Sequence, residues 1–410
     1  MKKKNFWISL VLANLCVVAL LGMTLRTKFL FPISFIDYKN FLSAHSHFAF
    51  GGWVTLVLMI LYVDNLLLPD QKQKRVYQWL FWGIEITSIG MLVTFPFQGY
   101  ALFSIIFSTA FIFFTYGFSW VFINDIRAAK KDRSISLLSI SALVSLVISS
   151  AGPFTLAYIM ATKTGTASLY RDSIYTYLHF QYNGFFTLSV FALFFNQILG
   201  LLSEATKRKV RSFAFFLCLS VIPALFLSLL WHGYNLYIQA IAFIGCALII
   251  ICLILFSRFA LNKKIYQGWV SPLARSLLIF SMVSFVIKMV LQMGTIIPAL
   301  GNAVFGYRPI IIGFLHLVFL GFVSFYIFFN LLEAGVFQRA KKFSTAAIVW
   351  FAAAVILNEA ILLIEGIGLM FYTTNAVYPS LLWIASIFLF TGALLILVAR
   401  LKSDRPAELY

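Results

Sequence analysis

Long apolar runs separated by short polar connections dominate this chain. Each run has about 20 or more residues, roughly the length that a helix needs to cross the hydrocarbon core of a bilayer. The apolar residues are continuous rather than alternating, which favours helices over the strands of a membrane barrel. The sequence therefore predicts an all-α polytopic membrane protein with twelve transmembrane helices. Their approximate positions are 5–26, 43–67, 77–97, 100–123, 136–160, 174–202, 211–231, 233–257, 272–297, 309–332, 344–366 and 378–400.

Composition agrees with this pattern. Of the 410 residues, 62% are hydrophobic and 11% are charged, and the mean hydropathy of +0.96 excludes an ordinary soluble domain. Because no polar linker interrupts the helices, residues 1–410 are predicted to form a single transmembrane domain in contact with lipid. The first apolar run follows lysines as in a signal peptide, but it lacks a small-x-small cleavage site, so we expect a retained first helix.

The net charge of +18 is distributed unevenly. Lysine and arginine gather in alternate connections, as at 127–133 and 207–211, whereas the intervening connections hold few. The positive-inside rule therefore predicts that the basic connections and both termini lie in the cytoplasm. Basic residues at the ends of membrane helices, rather than on a soluble face, also argue against a nucleic-acid partner.

One short pattern occurs three times: a histidine followed five residues later by glycine and a large apolar residue. The copies begin at His47, His179 and His316, at intervals of 132 and 137 residues. They fall in the second, sixth and tenth predicted helices, which suggests three consecutive four-helix units. Histidine is costly inside a bilayer unless it binds or pairs with something. We therefore treat the repeat as a functional pattern.

The predicted topology places all five histidines at a similar depth in the outer third of the membrane. Pro309 suits the first turn of the tenth helix, Asp172 is expected to cap the sixth, and His232 ends the seventh. Histidines packed at random would not share one level, so metal or haem ligation is favoured over simple helix packing. On this interpretation the repeat glycines (Gly51, Gly52 and Gly321) would leave room for a flat macrocycle.

His45 and His47 cannot have the same role. Residues two apart on a helix point about 200° away from each other, so only one of them can face a central cofactor. The register of the repeat favours His47.

These residues resemble the large catalytic subunit of the haem-copper oxidase superfamily, especially its cbb-type oxidase and nitric oxide reductase branches. Such subunits have twelve core helices and hold a low-spin haem between the second and tenth helices. The resemblance implies haem b ligation by His316 together with His45, which is followed by a small residue as in the family, or with His47. It also implies that His179 and His232 lie where the family binds copper. The expected location is the bacterial inner membrane, with an electron-donating partner subunit or quinol.

The chain departs from the family pattern at other positions. Phe314 stands where the ligand of the high-spin haem belongs, and Gly233 stands where the adjacent copper ligand would continue. The sequence also lacks a counterpart of the family's tyrosine that crosslinks to histidine, since Tyr182 is in the wrong turn. The resemblance therefore implies a divergent, oxidoreductase-like protein with low-spin haem b and an incomplete copper site. Its expected function is electron transfer or redox chemistry of nitric oxide or oxygen.

Other polar residues in the apolar runs allow further hypotheses. Lys288 and Arg308 are candidate partners of the haem propionates, with snorkelling or interfacial anchoring as the alternatives. Glu85 and Glu359 lie deep in apolar runs and are candidates for proton transfer. Histidines together with Glu359 would also suit a proton-coupled membrane transporter, although the ionisable residues gather near the outer face instead of the midplane.

Overall fold

A computed structural model describes residues 2–233, 235–266, 269, 271–337, 341–373 and 375–404. It is 88% helical and has no strand within these ranges. Twelve helices are long and apolar enough to cross a membrane, which confirms the predicted all-α polytopic fold. They are α1 (Lys4–Leu30), α2 (Tyr38–Leu66), α3 (Arg75–Gln98), α4 (Leu102–Ala128), α5 (Arg133–Thr162), α6 (Ala167–Leu201), α7 (Glu204–His232), α8 (Leu236–Ala260), α9 (Pro272–Gly294), α10 (Arg308–Glu333), α11 (Lys341–Met370) and α12 (Val377–Ser403).

Short polar side chains define where several of these helices begin. Each accepts a hydrogen bond from a backbone amide in the first turn, which otherwise has no partner. These caps are Asp37 for α2, Asp132 for α5, Thr166 for α6, Ser203 for α7, Asn235 for α8 and Ser271 for α9. Pro309 lies in the first turn of α10, as expected. The expected cap at Asp172 is wrong, because α6 begins earlier, at Ala167.

The three helices that carry the histidine repeat meet inside the bundle. Phe50 of α2, Phe186 of α6 and Phe319 of α10 form a triad in which each ring contacts the other two. The distances between ring centroids are 5.7, 4.6 and 5.4 Å. The most apolar windows of α2 and α6 are 83% and 78% buried, whereas that of α4 is only 22% buried. The repeat helices α2 and α6 are therefore the most deeply buried, and α4 presents an apolar surface suited to lipid.

The outer ring of helices is joined by contacts between neighbours in sequence and between the chain ends. α1 packs on α2 and α12, α3 on α4, α7 on α8, and α11 on both α10 and α12. Ion pairs close one end of the bundle. Lys4 of α1 contacts Asp64 of α2, and Arg211 of α7 donates to Asp132 at 2.7 Å. These pairs lie at the end where the basic connections gather.

Each repeat histidine is followed by a stretch of π-helix, in which the backbone hydrogen bonds skip one residue further than in an α-helix. The three stretches are Ala49–Thr55, Phe180–Phe186 and Leu317–Ser324. Such stretches are rare and occur often at functional sites. The π-turn frees carbonyl groups for other partners: Asn14 of α1 donates to the carbonyl of Gly52 at 2.8 Å, and Ser281 of α9 donates to that of Phe322 at 2.7 Å. The three copies of the repeat therefore share a π-helical stretch of backbone as well as a histidine.

The repeat glycines allow neighbouring helices to approach these π-stretches. A Cβ atom at Gly51 would lie 2.8 Å from Ser88 Oγ, one at Gly184 would lie 2.4 Å from Ser145 Cβ, and one at Gly321 would lie 2.8 Å from Ser284 Oγ. At Gly52 the space is taken by the ring of Phe48. The expectation that these glycines leave room for a macrocycle is therefore wrong, because protein side chains already fill the space.

Candidate functional site

His45 of α2 and His316 of α10 lie within electrostatic range of each other. Trp53 Nε1 of α2 donates a hydrogen bond to Ser324 Oγ of α10 at 3.3 Å, and this bond fixes how the two helices are aligned. The two residues are 271 positions apart in the sequence. Phe50 contacts Phe319, and Trp53, three residues later on α2, contacts Phe328 further along α10, so the two helices run in the same direction. The same separation of 271 relates His45 to His316. The His316 ring accordingly lies within electrostatic range of His45.

Helix α1 holds the His45 ring in place. Nδ1 of His45 donates to the carbonyl of Val18 at 3.1 Å, and that bond puts the ring proton on Nδ1. Nε2 then keeps its lone pair. The ring passes so close to Gly22 that a Cβ there would be 3.2 Å from Cε1 of His45. A bond from Nδ1 to a carbonyl is the usual way in which proteins orient a histidine that binds metal through Nε2.

His316 stands in the least tightly packed part of α10. Residues Arg308–His316 include no fully buried side chain, in contrast to the π-stretch that follows. Nδ1 of His316 is shielded from solvent and makes no hydrogen bond of good geometry, although the carbonyl of Ile312, one turn earlier, is close enough to interact with the ring. The imidazole therefore has capacity for a further partner.

Two arginines lie at the same end of the bundle as these histidines. Arg26 of α1 is within electrostatic range of His45, His316 and Glu365. Arg308, at the start of α10, lies over the ring of Tyr38 at 5.0 Å and donates to its hydroxyl at 3.1 Å. Arg308 was among the predicted site residues. Arg26 was missed because α1 was predicted to end at 26, whereas it continues to Leu30 and carries this side chain inward.

His47 points away from α10. Its Nδ1 donates to the carbonyl of Ser43 at 2.8 Å, and its ring stacks on Phe95 of α3 with centroids 4.5 Å apart. Its Nε2 lies 3.4 Å from the hydroxyl of Tyr100. The two histidines of α2 thus face different neighbours, as their angular separation requires, and His45 is the one that faces His316.

His179 and His232 both have protein partners. His179 is fully buried; its Nε2 donates to the carbonyl of Val221 at 2.7 Å, and its Nδ1 accepts from Asn183 at 3.0 Å. His232 Nε2 lies 2.8 Å from Asp172 Oδ2, and its ring stacks on Trp231 at 4.1 Å. Neither nitrogen of His179 is left with a lone pair for a metal in this arrangement. Metal binding by these two residues stays a prediction.

Lys288 does not reach the membrane surface. Its side chain is completely buried, and Nζ donates to Thr187 Oγ1 of α6 at 2.7 Å, so the snorkelling alternative is wrong. The amine lies within electrostatic range of His179. Lys288 therefore belongs to the neighbourhood of α6, whereas Arg26 and Arg308 are the cations near His45 and His316.

In the described part of the chain, no group of three or more histidine, cysteine, aspartate or glutamate side chains is arranged to hold a metal ion. His45 and His316 are a pair of neighbouring imidazoles, which is a smaller group than this criterion covers. No protein-family model matches this chain. Comparison with curated proteins also found no match.

Proposed function

We propose that this protein is a haem b-binding integral membrane protein of a bacterial inner membrane, with His45 and His316 as the residues that would hold the haem iron. Its function would be electron transfer or redox chemistry of nitric oxide or oxygen. The observation that carries the proposal is the pairing of His45 with His316 across α2 and α10, with Nδ1 of His45 tied to a backbone carbonyl.

The residues around the pair fit such a cofactor. Val18 and Gly22 of α1 orient the His45 ring and leave Nε2 free to bind iron. Arg26 and Arg308 supply positive charge suited to the two anionic propionates of a haem. When bound, haem would supply a one-electron couple whose potential depends on its axial ligands and surrounding charges.

Topology supports a position for this site near the outer face of the membrane. The basic connections favour cytoplasmic termini, which puts the starts of α2 and α10 outside. A donor would then be a partner subunit or a quinol that approaches this end of the bundle. No copper site is included in the proposal, since both nitrogens of His179 have protein partners.

The test is the visible spectrum of detergent-purified protein before and after dithionite, with haem quantified as its pyridine complex. The wild type should show a Soret band and sharp reduced bands. His316→Ala and His45→Ala should each lose the reduced-minus-oxidised spectrum. His47→Ala and His232→Ala, which remove histidines of the same outer region, should keep it. The proposal would be refuted if wild-type protein from cells supplied with a haem precursor contained no haem. It would also be refuted if the spectrum of His45→Ala were unchanged.

A further inference from the structure

A second polar cluster lies inside the bundle, among α6, α7, α8 and α9, where a small cavity separates the helices. Membrane interiors rarely keep ionisable groups without a function. The polar side chains at this cavity are Asn183, Thr187, Ser220, Lys288 and Gln292, and the remaining lining residues are apolar.

Lys288 lines the cavity and has more hydrogen-bond donors than its described partner uses. Its side chain has no exposed surface, and Nζ donates one hydrogen bond, to Thr187 Oγ1. Thr187 Oγ1 donates its own proton to the carbonyl of Tyr182 at 2.5 Å, so this hydroxyl can act only as an acceptor toward the lysine. An ammonium group has three donors, which leaves two without this partner. Within the described residues, no carboxylate forms an ion pair with Lys288.

Gln292 lies one helical turn after Lys288 and lines the same cavity. Its side chain is only 5% exposed, and neither Nε2 nor Oε1 has a hydrogen-bond partner among the described residues. Leaving such buried polar groups unpaired is unfavourable. Two neighbouring side chains with unused donors therefore border one enclosed space.

The shape and chemistry of the cavity define what it can hold. The cavity has a volume of about 10 Å³, close to the roughly 10–15 Å³ that one water molecule needs. The ammonium of Lys288 and the amide NH₂ of Gln292 together offer more unused donors than Oε1 of Gln292 offers acceptors, which favours an occupant that accepts hydrogen bonds. A negative charge would also offset the cost of an unpaired cation in a low-dielectric interior, which water cannot do. We propose that this cavity binds one small monovalent inorganic anion, held by Lys288 and Gln292.

Bromide is a suitable probe, because it is monovalent, spherical and detectable by anomalous scattering. Titration calorimetry on full-length protein purified in bromide- and chloride-free buffer should show one bromide per chain. Lys288→Met, which keeps a side chain of similar length, should weaken binding at least tenfold, and Gln292→Leu should weaken it several-fold. His316→Ala should bind bromide like the wild type, so that failure of the haem proposal would leave this result unaffected.

A bromide-soaked crystal of the wild type makes the test independent of how the variants fold. An anomalous peak next to Lys288 Nζ supports the proposal. Absence of bromide binding by the wild type would overturn it and leave water as the occupant. Equal affinity in folded Lys288→Met, or a peak located elsewhere, would overturn it as well.

Discussion

Gly184→Ala tests whether the repeat glycines exist to bring helices together. A Cβ atom at this position of α6 would lie 2.4 Å from Ser145 Cβ and 2.7 Å from Ser145 Oγ of α5. Ordinary contact begins near 3.4 Å, so the two helices must separate by about 1 Å. Overpacking of this kind costs about 1–3 kcal/mol, and the better helix propensity of alanine returns about 0.5–1 kcal/mol. We expect a net loss of about 0–2.5 kcal/mol in the free energy of unfolding.

The assay is reversible unfolding in mixed micelles with increasing sodium dodecyl sulfate, followed by far-ultraviolet circular dichroism. Gly200→Ala is the matched control, because a Cβ there has no described heavy atom within 4 Å. That variant should be neutral or gain up to about 1 kcal/mol. The two glycines lie in the same helix, so the comparison isolates the contact with α5.

A double-mutant cycle makes the reasoning refutable. Ser145→Gly removes the obstructing atoms, and the next neighbour of a Cβ at Gly184 is then Val221 Cγ1 at 3.7 Å, an ordinary contact. In the Ser145→Gly background, Gly184→Ala should therefore be neutral or stabilising. The expected coupling between the two positions is about 1–3 kcal/mol. If Gly184→Ala costs the same in both backgrounds, steric contact with Ser145 is not the reason for glycine.

Two further predictions concern polar contacts elsewhere. Burial would raise the pKa of Asp132, but hydrogen bonds from Arg211 and Ser134 outweigh it and bring the pKa to about 2. The stability from ionised Asp132 is then complete above its unfolded value of about 4 and is lost as pH falls toward 2. Asp132→Asn should thus lower the Tm at neutral pH and differ little from wild type near pH 2; an equal deficit at every pH would contradict this. Asn14 Nδ2 donates to the buried Glu85 at 2.8 Å, so Asn14→Leu should lose about 1–3 kcal/mol in the same unfolding assay. Adding Glu85→Leu should recover part of that loss, and a further additive loss would show that the carboxyl has another stabilising role.

Apolar patterning was sufficient to predict the helices, because a segment in lipid must satisfy its own backbone hydrogen bonds. All twelve predicted helices are present, and the errors are at the ends. α2 and α6 begin about five to seven residues before the apolar runs do, since Asp37 and Thr166 cap polar first turns that hydropathy does not include. The π-helical stretches were not predicted from the sequence, because one extra residue in a helical turn leaves the apolar composition of the helix unchanged.

By itself, the sequence determined the number and type of the helices and placed the three repeat histidines (His47, His179 and His316) on three corresponding ones. Only the tertiary structure showed that His45, and not His47, lies near His316, because the α2–α10 register depends on contacts 271 residues apart. It likewise brought Arg26 to the histidines and turned Lys288 into the interior toward Thr187. Hydropathy depends on each residue's own transfer from water to lipid, whereas the direction of a side chain within the bundle depends on which neighbouring helix packs against it.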